Sequence, residues 1–190
     1  VDTVGTELRA TYLPQEVDGL TLYGSVNYND AEYADFTAPC FAGQSFDGGC
    51  NQGGAGPLAT QNLKGAKRNN APEWSGVLGL NYERTVSGDN LLQIGIAGNF
   101  KSDYSANEFD TSSQQSGYSW WDASVRLTTA DERWTFALIG KNLTDRYVVV
   151  SEQDTPSTGG GTGTNNAFPA DKRGLFLRPR TYELEVGFRL

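Results

Sequence analysis

Hydropathy in this chain alternates with a period of two, and that pattern limits its folds more than any other feature. In the last ten residues Tyr182, Leu184, Val186, Phe188 and Leu190 hold one face, and Thr181, Glu183, Glu185, Gly187 and Arg189 hold the other. Successive side chains of a strand point to opposite faces, whereas a helix gathers residues three and four apart. The tail is therefore a strand with one apolar and one polar side. The same alternation recurs over 7–12, 20–28, 78–83, 92–100, 120–127 and 134–141. Trp121, Ala123, Val125 and Leu127 oppose Trp120, Asp122, Ser124 and Arg126, and Leu92, Ile94, Ile96 and Phe100 oppose Gln93, Ala97 and Asn99. No stretch has a 3.6-residue period. The reading is all-β: seven antiparallel strands in a meander.

The connections alternate too. Pro14 to Gly19, Ser87 to Asn90 and Thr129 to Glu132 are tight, and Ser87-Gly88-Asp89-Asn90 carries the residues a hairpin bend needs. Asp30 to Pro72, Lys101 to Gly117 and Asn142 to Leu177 are long. Loops of such length are uncommon in compact soluble domains. Short turns at one rim and long loops at the other are routine in outer-membrane barrels.

Composition narrows the chemistry. The chain has no His, which removes a Ser/His/Asp or Cys/His nucleophile, a His base and a His-ligated zinc within these residues. Two Cys cannot complete a four-ligand zinc site. The net charge of −8 and pI near 4.5 oppose a nucleic-acid footprint, which would be basic. No apolar run has the length of a membrane-spanning helix, a test that barrel strands escape. No catalytic residue, cofactor or metal is expected, and the chain is read as a non-enzyme.

Period two alone does not say whether the apolar face meets lipid or a protein core. Charged residues occupy the polar face of nearly every strand (Glu7, Arg9, Glu83, Asp122, Arg126, Lys141, Glu183, Glu185, Arg189), as a wet lumen requires. Aromatic residues gather near strand ends on the apolar face (Tyr12, Tyr28, Tyr82, Phe100, Trp121, Trp134, Tyr182), as interfacial girdles require. Both favour a barrel. Seven strands are an odd number, whereas single-chain bacterial barrels use even ones. Residues 1–190 are therefore expected to be the C-terminal portion of a larger barrel, with Val1 near the outer rim.

Four stretches resemble TonB-dependent outer-membrane receptors. Gly140-Lys141-Asn142-Leu143-Thr144-Asp145-Arg146-Tyr147 resembles the family's G-x-N-L-T-D-x-x-Y strand exit, with Tyr one place early. Arg178-Pro179-Arg180-Thr181-Tyr182 and the run to Leu190 resemble its closing strand. Asn70-Ala71-Pro72-Glu73-Trp74 and Gly5-Thr6-Glu7-Leu8 resemble the openings of earlier strands. The family usually ends on an aromatic residue read by the barrel assembly machinery; here Leu190 is last and Phe188 lies two places earlier.

The resemblance implies a plugged barrel of 22 strands that imports a scarce ligand of the siderophore, cobalamin or oligosaccharide class. It implies four partners: the lipid bilayer, a plug and further strands of the same receptor, the TonB complex through an N-terminal segment, and the assembly machinery. Tyr182, Leu184, Val186, Phe188 and Leu190 would then face lipid. In that oxidising compartment Cys40 and Cys50, both in the longest connection, are expected to form a disulfide. Ligand contact is assigned by location to the loop aromatics Phe36, Phe41, Phe46, Tyr104, Phe109 and Phe168. Asn142-Leu143-Thr144 matches a glycosylation sequon but reads as a strand terminus. Asp30, Glu32 and Asp35 read as a solvated strand end, and Gly159 to Gly163 as a loop tip without the Lys-Ser/Thr of a phosphate loop. Two further functions stay open: a passive pore, and a soluble glycan-binding β domain.

Overall fold

The computed structural model describes residues 1–41, 44–51, 59–156 and 170–190. In chain order the strands are β1 (Asp2–Tyr12), β2 (Leu20–Glu32), β3 (Thr37–Pro39), β4 (Thr60–Asn62), β5 (Trp74–Val86), β6 (Asn90–Lys101), β7 (Tyr104–Ser105), β8 (Gln114–Gln115), β9 (Tyr118–Thr128), β10 (Trp134–Lys141), β11 (Val149–Pro156), β12 (Ala170–Phe176) and β13 (Thr181–Phe188). Seven of them form one antiparallel sheet in the order β1-β2-β5-β6-β9-β10-β13. These are the seven alternating segments. The other six pair within the long connections as β3-β4, β7-β8 and β11-β12.

Register carries the sequence pattern across the whole sheet. Tyr12 pairs with Leu22, Leu22 with Leu80, Leu80 with Ile96, Ile96 with Ala123, Ala123 with Gly140 and Gly140 with Tyr182. That row crosses all seven strands without meeting a charge. On the opposite face one row reads Glu83, Gln93, Arg126, Ala137, Glu185. A one-residue slip anywhere would bring the two faces into one row, so alternation fixes every pairing at once.

Among the described residues no second layer covers the apolar side. Leu184 is 74 % exposed, Leu8 68 %, Leu138 56 % and Val125 44 %, so the sheet is a single layer. A sandwich would have sealed these positions against a second sheet. The short turns stand at one rim, where Gly88 and Asp89 take φ of 71° and 61° and close β5 onto β6. Primed turns of this kind match the right-handed twist of the flanking strands. At β9–β10, Trp134 N–H donates to Thr129 Oγ1 at 3.0 Å and Glu132 N–H to Thr129 O at 2.8 Å.

The buried residues lie elsewhere. Tyr33, Ala38, Cys40, Cys50, Ala59, Leu63, Tyr104, Ala106 and Val148 are nearly all in the long connections or at their stems. The connections were expected as plain loops. They are short strands packed into a body of their own.

Candidate functional site: the loop cap

Three long connections fold together above the wall. In the first, Tyr33, Ala38 and Leu63 form an apolar cluster that also receives Phe36 and Phe109, the latter from the second connection. Beside it Cys40 and Cys50 are joined by a disulfide, with Cα atoms 5.7 Å apart, and pack with Ala59. The expected bond is therefore present. Gln61 ties the parts together: its Nε2 donates to Pro39 O and Phe109 O, each at 2.8 Å, and its Oε1 accepts from Gln44 Nε2 at 2.9 Å. All of Gln61 is buried, so each bond replaces water that the site excludes.

The second connection is bound to the third by backbone and by charge. Glu152 N–H donates to Ala106 O at 2.7 Å, and Tyr104 Oη donates to Val149 O at 3.1 Å. Lys172 Nζ sits 2.8 Å from Asp110 Oδ2 and 2.9 Å from Glu152 Oε1. Burial of Asp110 disfavours its charge, but hydrogen bonds from Lys172 and Ser112 outweigh that and hold its carboxyl below the ordinary value. Burial pulls Lys172 down while Asp110 and Glu152 push it up more strongly, so it stays cationic. Tyr104, pushed well up mainly by burial, remains a neutral phenol.

Where the third connection leaves β10, the motif residues each have a task. Asn142 is buried in the left-handed region at φ 47°. Its backbone N–H donates to Asp122 Oδ1 at 2.8 Å, and its Nδ2 donates to Arg146 O and Arg178 O, each at 3.0 Å. Leu143 folds back over Gly140: a Cβ there would lie 2.6 Å from Leu143 Cδ2. Asp145 Oδ1 accepts from Arg180 N–H at 3.0 Å. The sequon amide is thus fully engaged and out of reach of a glycosylating enzyme. That staple role escaped the sequence reading, although the Gly-x-Asn spacing in the motif was its trace.

A cleft of about 410 Å³ opens at this rim between the first two connections. Lys67, Arg68, Glu73, Trp74, Asp103 and Tyr104 are among its lining residues. Lys67 bridges Asp30 at 2.5 Å and Glu32 at 3.1 Å, which accounts for two of the three acidic residues at that strand end. The hydrogen bonds it donates to those carboxylates hold its ammonium above its ordinary value. The cleft thus presents cations, carboxylates, a phenol and an indole, a lining suited to a polar ligand with a flat face. Among the described residues no group of acidic, Cys or His side chains is placed to hold a metal.

The candidate contact residues divide. Phe36 stacks on Tyr33 with ring centroids 4.9 Å apart, and Phe109 packs on the same cluster. Tyr104 is buried but lines the cleft, Phe41 is half-buried, and Phe46 is 68 % exposed. Phe168 and the glycine run 159–163 lie outside the described residues. On β13 Tyr182, Leu184, Val186 and Phe188 share one exposed face, with Leu190 exposed beyond the strand's end.

A single-layer antiparallel meander with one apolar face, tight turns at one rim and a folded cap at the other has the architecture of part of a β-barrel wall. The chain superposes over 98% of its length on the siderophore receptor PiuA from Acinetobacter baumannii, with TM-score 0.63 and 16% identity, covering 21% of that chain. It superposes over 98% of its length on the ferric yersiniabactin uptake receptor FyuA from Yersinia pestis, with TM-score 0.58 and 17% identity, covering 23% of that chain. The chain therefore spans about a fifth of the length of these solved receptors. No protein-family model and no curated protein matches the sequence. At this identity the likeness shows the fold, and the resemblance to TonB-dependent receptors drawn from the four motifs is borne out at that level.

Proposed function

We propose that residues 1–190 are the C-terminal wall and outer loops of a TonB-dependent receptor in the bacterial outer membrane. The full protein would import a scarce ligand of the siderophore, cobalamin or oligosaccharide class. The observation that carries this is the union of an uncovered apolar face across all seven strands with a preorganised cap at one rim. An apolar surface of that extent would drive aggregation in water and is at home against acyl chains. A cap ordered by a disulfide and buried hydrogen bonds loses less entropy when it takes a ligand.

In this reading the partners are lipid around the wall, a plug and earlier strands within the same receptor, the TonB complex and the assembly machinery. The wall supplies containment and the cap supplies capture. Neither performs chemistry on the ligand.

The test uses the full-length receptor in cells. Uptake of labelled ferric siderophores, cobalamin and oligosaccharides is measured with TonB present and absent. Uptake of one class that stops without TonB is the expected result. Uptake that continues without TonB would make the protein a passive pore, and a full-length protein soluble without detergent would make it a glycan-binding domain.

A further inference from the structure

Two rings stand together on the polar face of the wall, at its cap end. Tyr118 and Trp120, both half-buried near the start of β9, stack with centroids 5.6 Å apart and planes 28° from parallel. Strand alternation sends both to the side opposite Trp121, the lumen side in the barrel reading. Tyr104, which lines the cap cleft, has its ring 6.4 Å from that of Tyr118. Aromatic surface therefore runs from the cleft onto the wall. Register sets polar neighbours beside it: Trp120 pairs with Asn99, Tyr118 with Lys101, and Lys101 with Ser75. Among the described residues the half-buried Asn99 amide has no hydrogen-bond partner.

Further from the cap the same face hollows. About 150 Å³ opens over Gly95, edged by Tyr23, Asn81, Asp122, Ser124 and Lys141. Tyr23 lies across Gly79, where a Cβ would stand 2.5 Å from its hydroxyl oxygen, so glycine there lets the phenol rest on the sheet.

Charge selects the ligand class. On the polar face of the wall strands Arg9 sits beside Glu7, Arg126 beside Glu185 and Lys141 beside Asp122. Glu83 and Glu183 add negative charge to that face, and Lys101 is its one cation without an ion pair among the described residues. A face neutralised in this way offers an anionic chelate no attraction. A sugar ring needs none, because its C–H groups settle on the negative faces of aromatic rings and its hydroxyls find partners at their edges.

We propose that Tyr118 and Trp120 form a stacking shelf for a neutral oligosaccharide, with Asn99 at its edge and the hollow under Tyr23 taking the next sugar. The site rests on the import reading above and deepens it, choosing one of its three ligand classes and placing a contact on the wall beneath the cap. Successive sugar rings step from the cleft at Tyr104 onto the shelf and then into the hollow. Selectivity comes from ring faces and hydroxyls, not from charge.

The experiment titrates the full-length protein in detergent micelles with maltohexaose, cellohexaose and xylohexaose, and with an anionic ferric tris-catecholate for comparison. Calorimetry should show binding of at least one of the three sugars, with an affinity that added salt leaves unchanged. Trp120→Ala and Tyr118→Ala should each weaken it about tenfold, as expected for a lost ring contact. Trp120→Phe should keep most of it, and Trp121→Ala, on the opposite face, should leave it unaltered. Heat-modifiable mobility checks that each variant is folded. Asn99→Ala, which removes an amide and no ring, should weaken binding several-fold and serves if a ring variant does not fold. Binding of none of the sugars, salt-sensitive binding of the catecholate in their place, or wild-type affinity in folded Trp120→Ala or Asn99→Ala overturns the shelf. TonB-dependent uptake of the catecholate would keep the import reading and sink the shelf alone. Trp120-dependent sugar binding with uptake that ignores TonB would keep the shelf and sink the import reading.

Discussion

Arg126 and Glu185 form an ion pair at 3.1 Å across an intervening strand, over Ala137, which registers with both. Only a methyl group in the middle lets two residues on β9 and β13 meet. Ala137 is 2 % exposed, which places the pair as its roof. Both charges are partly exposed, so Glu185→Ala should cost no more than about 1 kcal/mol. Ala137→Leu should cost about 1–3 kcal/mol, because it parts the pair and overfills the gap. Urea titration of the full-length protein would check the order; a costlier Glu185→Ala would refute it.

Trp121 lies over Gly98 on the apolar face, its ring carbons 2.7–2.8 Å from where a Cβ would stand. The two are direct partners in register. Gly98→Ala forces the indole aside, and Trp121→Ala removes it, so the double variant should be less destabilised than the sum. A coupling of about 0.5–3 kcal/mol is expected from a double-mutant cycle, and strict additivity would contradict the contact.

β13 separates the two faces. Under the proposed barrel reading, Leu184→Arg should destabilise the full-length protein in a bilayer by about 2–4 kcal/mol if Leu184 sits mid-membrane, whereas Glu183→Arg, its neighbour on the opposite face, should cost far less. Equal losses in an unfolding titration would reverse the assignment of lipid and lumen.

The link between Lys172, Asp110 and Glu152 makes cap stability depend on pH at both ends. Asp110 titrates below its ordinary 3.8, so its contribution is full above that value and fades as pH falls through the depressed one. Lys172 titrates above its ordinary 10.5, so its contribution is full below that value and fades as pH rises through the raised one. Between those limits the cap should be flat in stability. Amide exchange at Ala106, Ser113 and Glu152 in the full-length protein should quicken below pH 3.8, and Asp110→Asn should remove that acid dependence. An unchanged acid limb in the variant would show that another group carries it.

Removing the bond between Cys40 and Cys50 by a paired change to Ser should cost the first connection about 2–3 kcal/mol, read as faster exchange at Cys40 and Asn51. Their backbone N–H groups donate across β3–β4 and its neighbour, to Ala59 O and Thr60 O. The wall should be untouched, since none of its strands borders the bond. Loss of the whole barrel would contradict that independence.

The wall was legible because its rule is local. Each of its seven strands alternates on its own, as Tyr182 to Phe188 shows most clearly, and matching turns then force the register. Even β1, the weakest pattern, was found, though it extends to Asp2 where Thr3, Thr6 and Gly5 blur the alternation. The cap was not legible. β7 and β8 are two residues each and β3 and β4 three, too short to show any period. β11 runs Val-Val-Ser-Glu-Gln-Asp-Thr-Pro, with polar residues on both sides and no alternation to read, and its Glu152 is answered by Lys172 from β12. The bonds that order it, such as Gln61 to Phe109, join residues far apart in sequence and leave no local trace.

The described part of the cap is knitted from three distant stretches through Gln61, Tyr104 and Asn142, so residues far apart in the chain become neighbours there. Antibodies raised against the denatured polypeptide or against short synthetic peptides would meet the pieces without their arrangement. An immunogen meant to raise antibodies against the native cap has to carry its three connections folded together.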